Sequence, residues 1–362
     1  MVNAPTDAPA LRVGVIGAGG FAEVCHVPGL QSHPNAVVAA LCGRREEHAR
    51  AMADRLGVPD VHTDYRDLCA RTDLDAVTIT TPNAVHAEQA AAAFAAGKHV
   101  FCEKPLGLNV VEVREMLRIA EASGKIHQVA FTFRYTHALQ ELRRQVLAGL
   151  IGEPYLLRIR WDGWGGLRPE WKAGWRETQA LSGGGMLFDM GSHLFDAARF
   201  VLGPIEHVTG WTHVIPRTAP DRYSGEILEV ETDDIAAACF VHRSGVRGEW
   251  FMSRATPAHS ENGCLEIVGP EGALLATLGR GQVDRLQLSR PTGDGWEALP
   301  LPPESATGTP YALGRMMRSF VDACRSGRPD VGVDASFEDG LAAQQALEAV
   351  QLSQSGPRWV AL

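Results

Sequence analysis

No Cys-x-x-Cys pair occurs among the seven cysteines of this 362-residue chain, Cys25, Cys42, Cys69, Cys102, Cys239, Cys264 and Cys324. Their odd number and scatter argue against a disulfide framework and fit reduced thiols in a cytoplasm. There is no basic stripe. With 34 Lys and Arg against 43 Asp and Glu, the net charge is −9, and phosphate neutralisation needs the opposite balance, so nucleic acid is not the expected partner. No apolar stretch is long enough to span a bilayer. Residues 1–10 are rich in Pro and Ala but lack the basic region and apolar run of a secretory leader. Repeats and low-complexity tracts are also missing. These absences together lead us to expect a soluble, cytoplasmic protein with no membrane partner.

What is present is ordinary globular composition, 45% hydrophobic and 21% charged, in a chain long enough for two domains. Over residues 11–126 short β-branched runs alternate with helical patterns. Arg12–Ile16, Ala36–Leu41, Ala76–Thr80 and His99–Phe101 read as buried parallel strands, while Phe21–Gln31, Arg45–Leu56, Ala84–Ala96 and Val110–Ala122 read as helices. Such alternation predicts right-handed crossovers and a doubly wound sheet, placing a Rossmann dinucleotide-binding domain at 1–126.

The rhythm changes after residue 127. Helical spacing returns at Thr136–Leu150 and Gly185–Leu202. Leu156–Trp161, Val208–His213, Ile235–Val241, Val246–Ser253, Cys264–Val268 and Ala273–Thr277 read as strands, several in succession without a helix between them. That pattern predicts a large, mostly antiparallel sheet in a second α/β domain over 127–362. Leu299–Pro310 reads as a loop, and Tyr311–Arg325 and Phe337–Ser353 as closing helices. A cofactor domain followed by an open sheet leads one to expect a ligand cleft at the carboxyl ends of the parallel strands.

Gly17-Ala18-Gly19-Gly20-Phe21-Ala22 follows the first strand directly and opens a helix. Gly17 allows the tight turn, Gly19 lets backbone approach a pyrophosphate, and Ala22 is small enough for helix–strand packing. Free N–H groups at the helix start then face phosphate. The second strand ends Leu41-Cys42-Gly43-Arg44-Arg45, with no acid before Glu46. An NAD site usually has an acid there for the ribose hydroxyls. Arg44 can instead hold a 2′-phosphate and stack on adenine, with Gly43 leaving the approach open and Arg45 beside it. This favours NADP, with NAD still possible; the plainer reading is that both arginines start a solvated helix. Thr80-Thr81-Pro82-Asn83-Ala84-Val85-His86 follows the third strand. Thr81, Pro82, Asn83 and His86 either line the cofactor or simply cap and turn the chain, with Asn83 as N-cap.

Lys104 stands in a Glu103-Lys104-Pro105 triplet at the end of the fourth strand. Its charge favours a developing alkoxide and lowers a neighbour's pKa, although any lone lysine there can be a solvated cation. Glu103 either anchors the loop or reaches ribose. Later, Gly183-Gly184-Gly185 precedes Asp189 and His193, spaced i, i+4 on one helix face. Imidazole suits a proton shuttle, and a carboxylate one turn away can orient it or hold a substrate hydroxyl. Local capping by Asp189 and core packing by His193 are the alternatives. No third ligand makes this pair a metal site. Half of the eight tryptophans, Trp161, Trp164, Trp171 and Trp175, lie just before the glycine run among Asp162, Arg168, Lys172 and Arg176. Flat aromatic faces with hydrogen-bonding neighbours suit a sugar or cyclitol ring, and equally suit core or interface packing.

Taken together, the glycine loop at 17–22, Thr81-Pro82-Asn83 with His86, Glu103-Lys104-Pro105, and Gly183–His193 resemble the Gfo/Idh/MocA family, named for glucose–fructose oxidoreductase and inositol dehydrogenase. The likeness covers nearly the whole chain. It implies a Rossmann domain, a second α/β domain with a large open sheet, and homodimers or homotetramers formed through that sheet. By the same resemblance, Lys104, Asp189 and His193 fall on catalytic positions for hydride exchange between a nicotinamide and a secondary alcohol or ketone of a sugar or cyclitol. Phe133, Arg134 and Tyr135 fall where relatives place substrate-facing residues, and Thr132 replaces a common asparagine. With Trp164, Trp175 and Arg176, these complete the expected substrate contacts. Two other readings share the same loop: a redox glycosidase that retains its NAD, and a dinucleotide-sensing protein without catalysis.

Overall fold

The apolar run Leu-Arg-Val-Gly-Val-Ile forms strand β1 (Leu11–Ile16), buried because it lies inside a parallel sheet covered on both faces. The computed structural model describes residues 9–163, 165, 167–168, 170–256, 263–278, 284–303, 308–356 and 358–362. Five more parallel strands join β1: β2 (Ala36–Cys42), β3 (Asp60–His62), β4 (Ala76–Ile79), β5 (His99–Cys102) and β6 (His127–Val129). Their order, β3-β2-β1-β4-β5-β6, is that of a doubly wound Rossmann sheet. The strand–helix alternation expected from sequence is therefore present.

Between the strands run α1 (Val27–Gln31), α2 (Glu46–Leu56), α3 (Tyr65–Cys69), α4 (His86–Ala95) and α5 (Val110–Ser123). Local chemistry sets their limits. At α5, the Asn109 side chain accepts the Glu112 N–H, and Gly124 ends the helix in the left-handed region. Ahead of α1, residues 22–26 form a π-helical turn.

The chain divides into two compact units. The first is Met1–Ala130 with Leu313–Leu341; the second is Phe131–Ala312 with Ala342–Leu362. The boundary differs from the expected 126/127 because His127–Val129 pairs with β5 as the sheet's last strand. Residues 313–341 also belong to the first unit. There Phe320 meets Phe101 edge-on at 5.3 Å, and the Val129 N–H donates to the Ala335 carbonyl.

The second unit contains α6 (His137–Leu147), β7 (Leu156–Asp162), α7 (Gln179–Ser182), α8 (Ser192–Leu202), β8 (Ile205–His213), β9 (Thr218–Pro220), β10 (Ile227–Glu229), β11 (Ile235–His242), β12 (Arg247–Ser253), β13 (Cys264–Gly269), β14 (Gly272–Thr277), β15 (Arg285–Ser289) and β16 (Glu297–Leu299). Two long helices follow, α9 (Gly308–Ser326) and α10 (Phe337–Ser353), then the short β17 (Val360–Ala361). Nine strands form one sheet in the order β16-β15-β14-β13-β7-β12-β11-β8-β17, antiparallel except for the central β7–β12 pair. Burial alternates along β11 to β14, so one face packs and the other is open in the chain. On the packed face Phe195 of α8 meets Phe240 and Trp250 edge-on at 5.6 and 5.2 Å. The open face carries Trp211 against Phe251 and the exposed Cys239.

Candidate active site

In the first unit, Gly17 turns the chain away from β1 with φ of +110°. A side chain there would lie 2.5 Å from Thr80 Oγ1, so only glycine fits. Thr80 closes the turn by donating its hydroxyl to the Gly17 carbonyl at 2.8 Å. Gly19 and Gly20 differ from Gly17: a Cβ at either would meet nothing within 4 Å. Their backbone is therefore open to a ligand, as a pyrophosphate requires, and the helical turn that follows Phe21 starts with the buried Ala22. The loop fits a dinucleotide.

At the end of β2, Gly43 has a different role from the open approach expected of it. A Cβ there would come within 2.8 Å of the Ala18 Cβ, so it makes room for the glycine loop itself. Arg44 and Arg45 are both exposed at the start of α2. His48, one turn on, has Nε2 at 3.0 Å from the Ala18 carbonyl, a residue the sequence did not single out.

The Thr80–His86 segment turns as expected, through a short 3₁₀ helix over Asn83–Val85, but Pro82 rather than Asn83 precedes it and no side chain caps it. Asn83 is buried. The Thr81 hydroxyl donates to Gln89 Oε1 at 2.6 Å. His86 is fully buried, with Nε2 at 2.9 Å from the Thr81 carbonyl and Nδ1 at 3.1 Å from the Pro105 carbonyl. Burial pushes this imidazole below its ordinary value, and a neutral ring has one N–H to give to either carbonyl. His86 thus ties the loop after β4 to the loop after β5. Glu103 is the anchor of that second loop: Oε1 lies 3.0 Å from His26 Nε2, and Oε2 accepts the Lys104 N–H. Lys104 itself is nearly buried, and its bond to Pro105 is cis.

In the second unit, Asp189 and His193 occupy a helix that is not uniform. Leu187–Gly191 is π-helical and passes directly into α8 at Ser192. Asp189 is partly exposed and His193 mostly buried. Phe133 lies against the His193 imidazole at 4.8 Å between centroids, and Phe131 meets it edge-on at 6.0 Å. Phe131 was not among the expected site residues; its place in the run Phe131-Thr-Phe-Arg-Tyr135 was the available signal.

Arg134 is buried, with Nε 3.1 and 3.0 Å from the two carboxylate oxygens of Asp196 on α8. Its charge is answered inside the protein, so it locks segment 132–135 to the helix that bears His193. Tyr135 is also buried. Among the tryptophans, Trp161 is core, 5.3 Å from Phe133. Trp171 lies under the Arg217 and Arg254 guanidinium groups, and Trp175 under Arg176 at 4.3 Å. Trp164 lies outside the described residues. Among the described residues no group of three His, Cys, Asp or Glu side chains can hold a metal ion, and no helix is long and apolar enough to cross a membrane.

A glycine loop opening onto a six-stranded parallel sheet defines the class of the first unit: a dinucleotide-binding Rossmann fold. Residues 11–131 match the oxidoreductase family with an NAD-binding Rossmann fold, and residues 139–275 match the Gfo/Idh/MocA C-terminal domain. The protein belongs to the Gfo/Idh/MocA family. Myo-inositol 2-dehydrogenase of Thermotoga maritima is 30% identical over 74% of this chain and 75% of its own. D-glucoside 3-dehydrogenase of Escherichia coli is 36% identical, over 56% of this chain and just 57% of its own. In fold, apo levoglucosan dehydrogenase superposes with a TM-score of 0.90 over 98% of this chain and 99% of that one, at 24% identity.

Proposed function

We propose that this enzyme transfers hydride between a nicotinamide cofactor, NADP in preference to NAD, and a secondary alcohol or ketone of a sugar, sugar derivative or cyclitol. The observation that carries the proposal is the His193 imidazole against the Phe131 and Phe133 rings, four residues after Asp189, in a chain whose relatives are named for inositol and glucoside dehydrogenation. The bound cofactor supplies C4 of its nicotinamide as hydride acceptor or donor.

The residues do the rest. His193 takes the hydroxyl proton on a ring nitrogen during oxidation and returns it during reduction, and Asp189 holds substrate and imidazole in register. Lys104 supplies positive charge to the oxygen that loses its proton. His86 and Glu103 act by holding the Lys104 loop. Arg134 positions α8 through Asp196, and Tyr135, Trp164, Trp175 and Arg176 are assigned to the substrate. The exposed Arg44, with no carboxylate ahead of it on β2, supports the 2′-phosphate preference. The open sheet face with Trp211 and Phe251 supports a homodimer or homotetramer.

The test is to mix the protein with NADP or NAD and a panel including myo-inositol, methyl glucosides and levoglucosan, and to follow reduced-nicotinamide absorbance. Turnover of a free polyol or sugar is expected, faster with NADP. Silence with cofactor bound, and hydrolysis of a nitrophenyl glycoside instead, would establish the redox-glycosidase reading.

A further inference from the structure

The helix bearing Asp189 and His193 starts from three consecutive amides held by one residue. The Gly185 N–H donates to Asp233 Oδ1 at 2.7 Å and the Leu187 N–H to Asp233 Oδ2 at 2.8 Å. Between them, the Met186 N–H donates to the Asp233 backbone carbonyl at 3.0 Å. A Cβ on Gly185 would lie 2.0 Å from that carbonyl oxygen, so this approach exists because residue 185 is glycine. The Gly185 carbonyl in turn accepts the Asp189 N–H at 2.9 Å, which carries the fixed geometry one turn along to Asp189.

Asp233 is buried and stands two residues before Ile235, the first residue of β11, which is already paired in the sheet. The adjacent Asp234 takes the neighbouring cations: Arg217 reaches it at 2.6 and 2.7 Å and Arg254 at 2.6 Å, while Arg254 also reaches Glu177. Both Asp233 oxygens are thereby left to backbone amides. A hydroxyl or a carboxamide offers a single oxygen in that place; only a carboxylate offers two acceptors spaced for amides two residues apart.

We propose that Asp233 is a positioning residue for the reaction: its carboxylate clamps the Gly185 and Leu187 amides to the start of β11 and so sets where Asp189 and His193 stand. The proposal rests on the assignment of Asp189 and His193 as catalytic residues. A helix start fixed to a sheet transmits the sheet's rigidity to side chains one and two turns later, and a misplacement of about 1 Å costs on the order of 100-fold in rate.

The test is Asp233→Asn, which keeps one acceptor and turns an NH₂ group towards the other amide. With NADP and whichever of myo-inositol, methyl glucoside and levoglucosan the wild type turns over fastest, kcat should fall by about 100-fold. Cofactor affinity, read by fluorescence titration, should not change. Amide exchange in the peptide covering 185–193 should quicken by about tenfold while β11 keeps its protection. This second readout needs no substrate. Gly185→Ala attacks the same contact from the other side, should reproduce both effects, and serves if Asp233→Asn fails to fold. Unchanged exchange at 185–193, unchanged kcat, or exchange rising equally through the sheet would overturn the clamp. A His193→Ala variant that still turns over would instead refute the catalytic assignment, leaving the exchange result to judge the clamp alone.

Discussion

His26 and Glu103, 77 positions apart in sequence, meet inside the first unit with Nε2 and Oε1 at 3.0 Å. His26 is fully buried, its ring edge-on to Phe101 at 5.4 Å. The other oxygen of Glu103 accepts the N–H of Lys104. The pair therefore fixes the backbone on which the proposed catalytic lysine stands, from a residue near the glycine loop. His26→Leu would leave the carboxylate buried without that partner, and we expect a loss of about 3 kcal/mol in urea unfolding. His26→Gln retains a donor and should lose less. A leucine variant as stable as the wild type would show that the contact is not needed.

The proposed preference for NADP rests on Arg44. It is exposed at the start of α2, where its guanidinium is accessible to a 2′-phosphate. Arg44→Ala should weaken NADP by about 10- to 100-fold, the scale of one charge-assisted contact, and leave NAD little changed. Equal losses for both cofactors in a binding titration would refute the 2′-phosphate assignment.

Acid should destabilise this fold through partly or fully buried histidines. Burial lowers the values of His86, His99, His127 and His242. A depressed histidine is neutral in both states at high pH; below its unfolded value of about 6.5 the unfolded chain gains a proton that the folded one resists, so stability falls. Asp284 works the other way. Burial pushes its carboxyl up to about 6, so protonation there favours the fold as pH drops from about 6 towards 4. The melting temperature should fall as the pH is lowered from 7.5 to 6 and go on falling below that, with Asp284 offsetting part of the loss. His242, held by the Gly203 carbonyl at 2.9 Å, gives the cleanest check: His242→Gln should flatten the fall, and an unchanged slope would exclude it as a contributor.

The first unit was legible in the sequence because its signals are local. A glycine loop after an apolar run, and short β-branched runs alternating with helical spacing, each act over a few residues. What escaped depends on distant contacts. His127–Val129 is too short to show a period, and only pairing with β5 makes it a strand. Leu313–Leu341 joins the first unit through tertiary packing that no spacing records. In the second unit, Asp189 and His193 were singled out by their i, i+4 spacing, but no local pattern signals the π-helical turn at Leu187–Gly191, and the grip of Asp233 on Gly185 spans 48 positions. Trp161 looked like its neighbours in sequence and is core.

The assigned chemistry makes its strongest prediction at Lys104 and His193. His193→Ala removes the proton acceptor, which general acid–base catalysis values at about 10²- to 10⁴-fold in rate. Lys104→Met removes a positive charge from a nearly buried position while keeping the side chain's length and apolar body. Both should abolish measurable turnover. Neither residue belongs to the glycine loop, so nicotinamide-cofactor affinity measured by fluorescence titration should stay near the wild-type value. His193→Ala also removes a ring packed against Phe133, so a control melting curve must show that the variant is folded at the assay temperature. Turnover retained in both folded variants would refute the mechanism; loss in His193→Ala alone would confine the chemistry to the second unit and return Lys104 to the role of a structural cation.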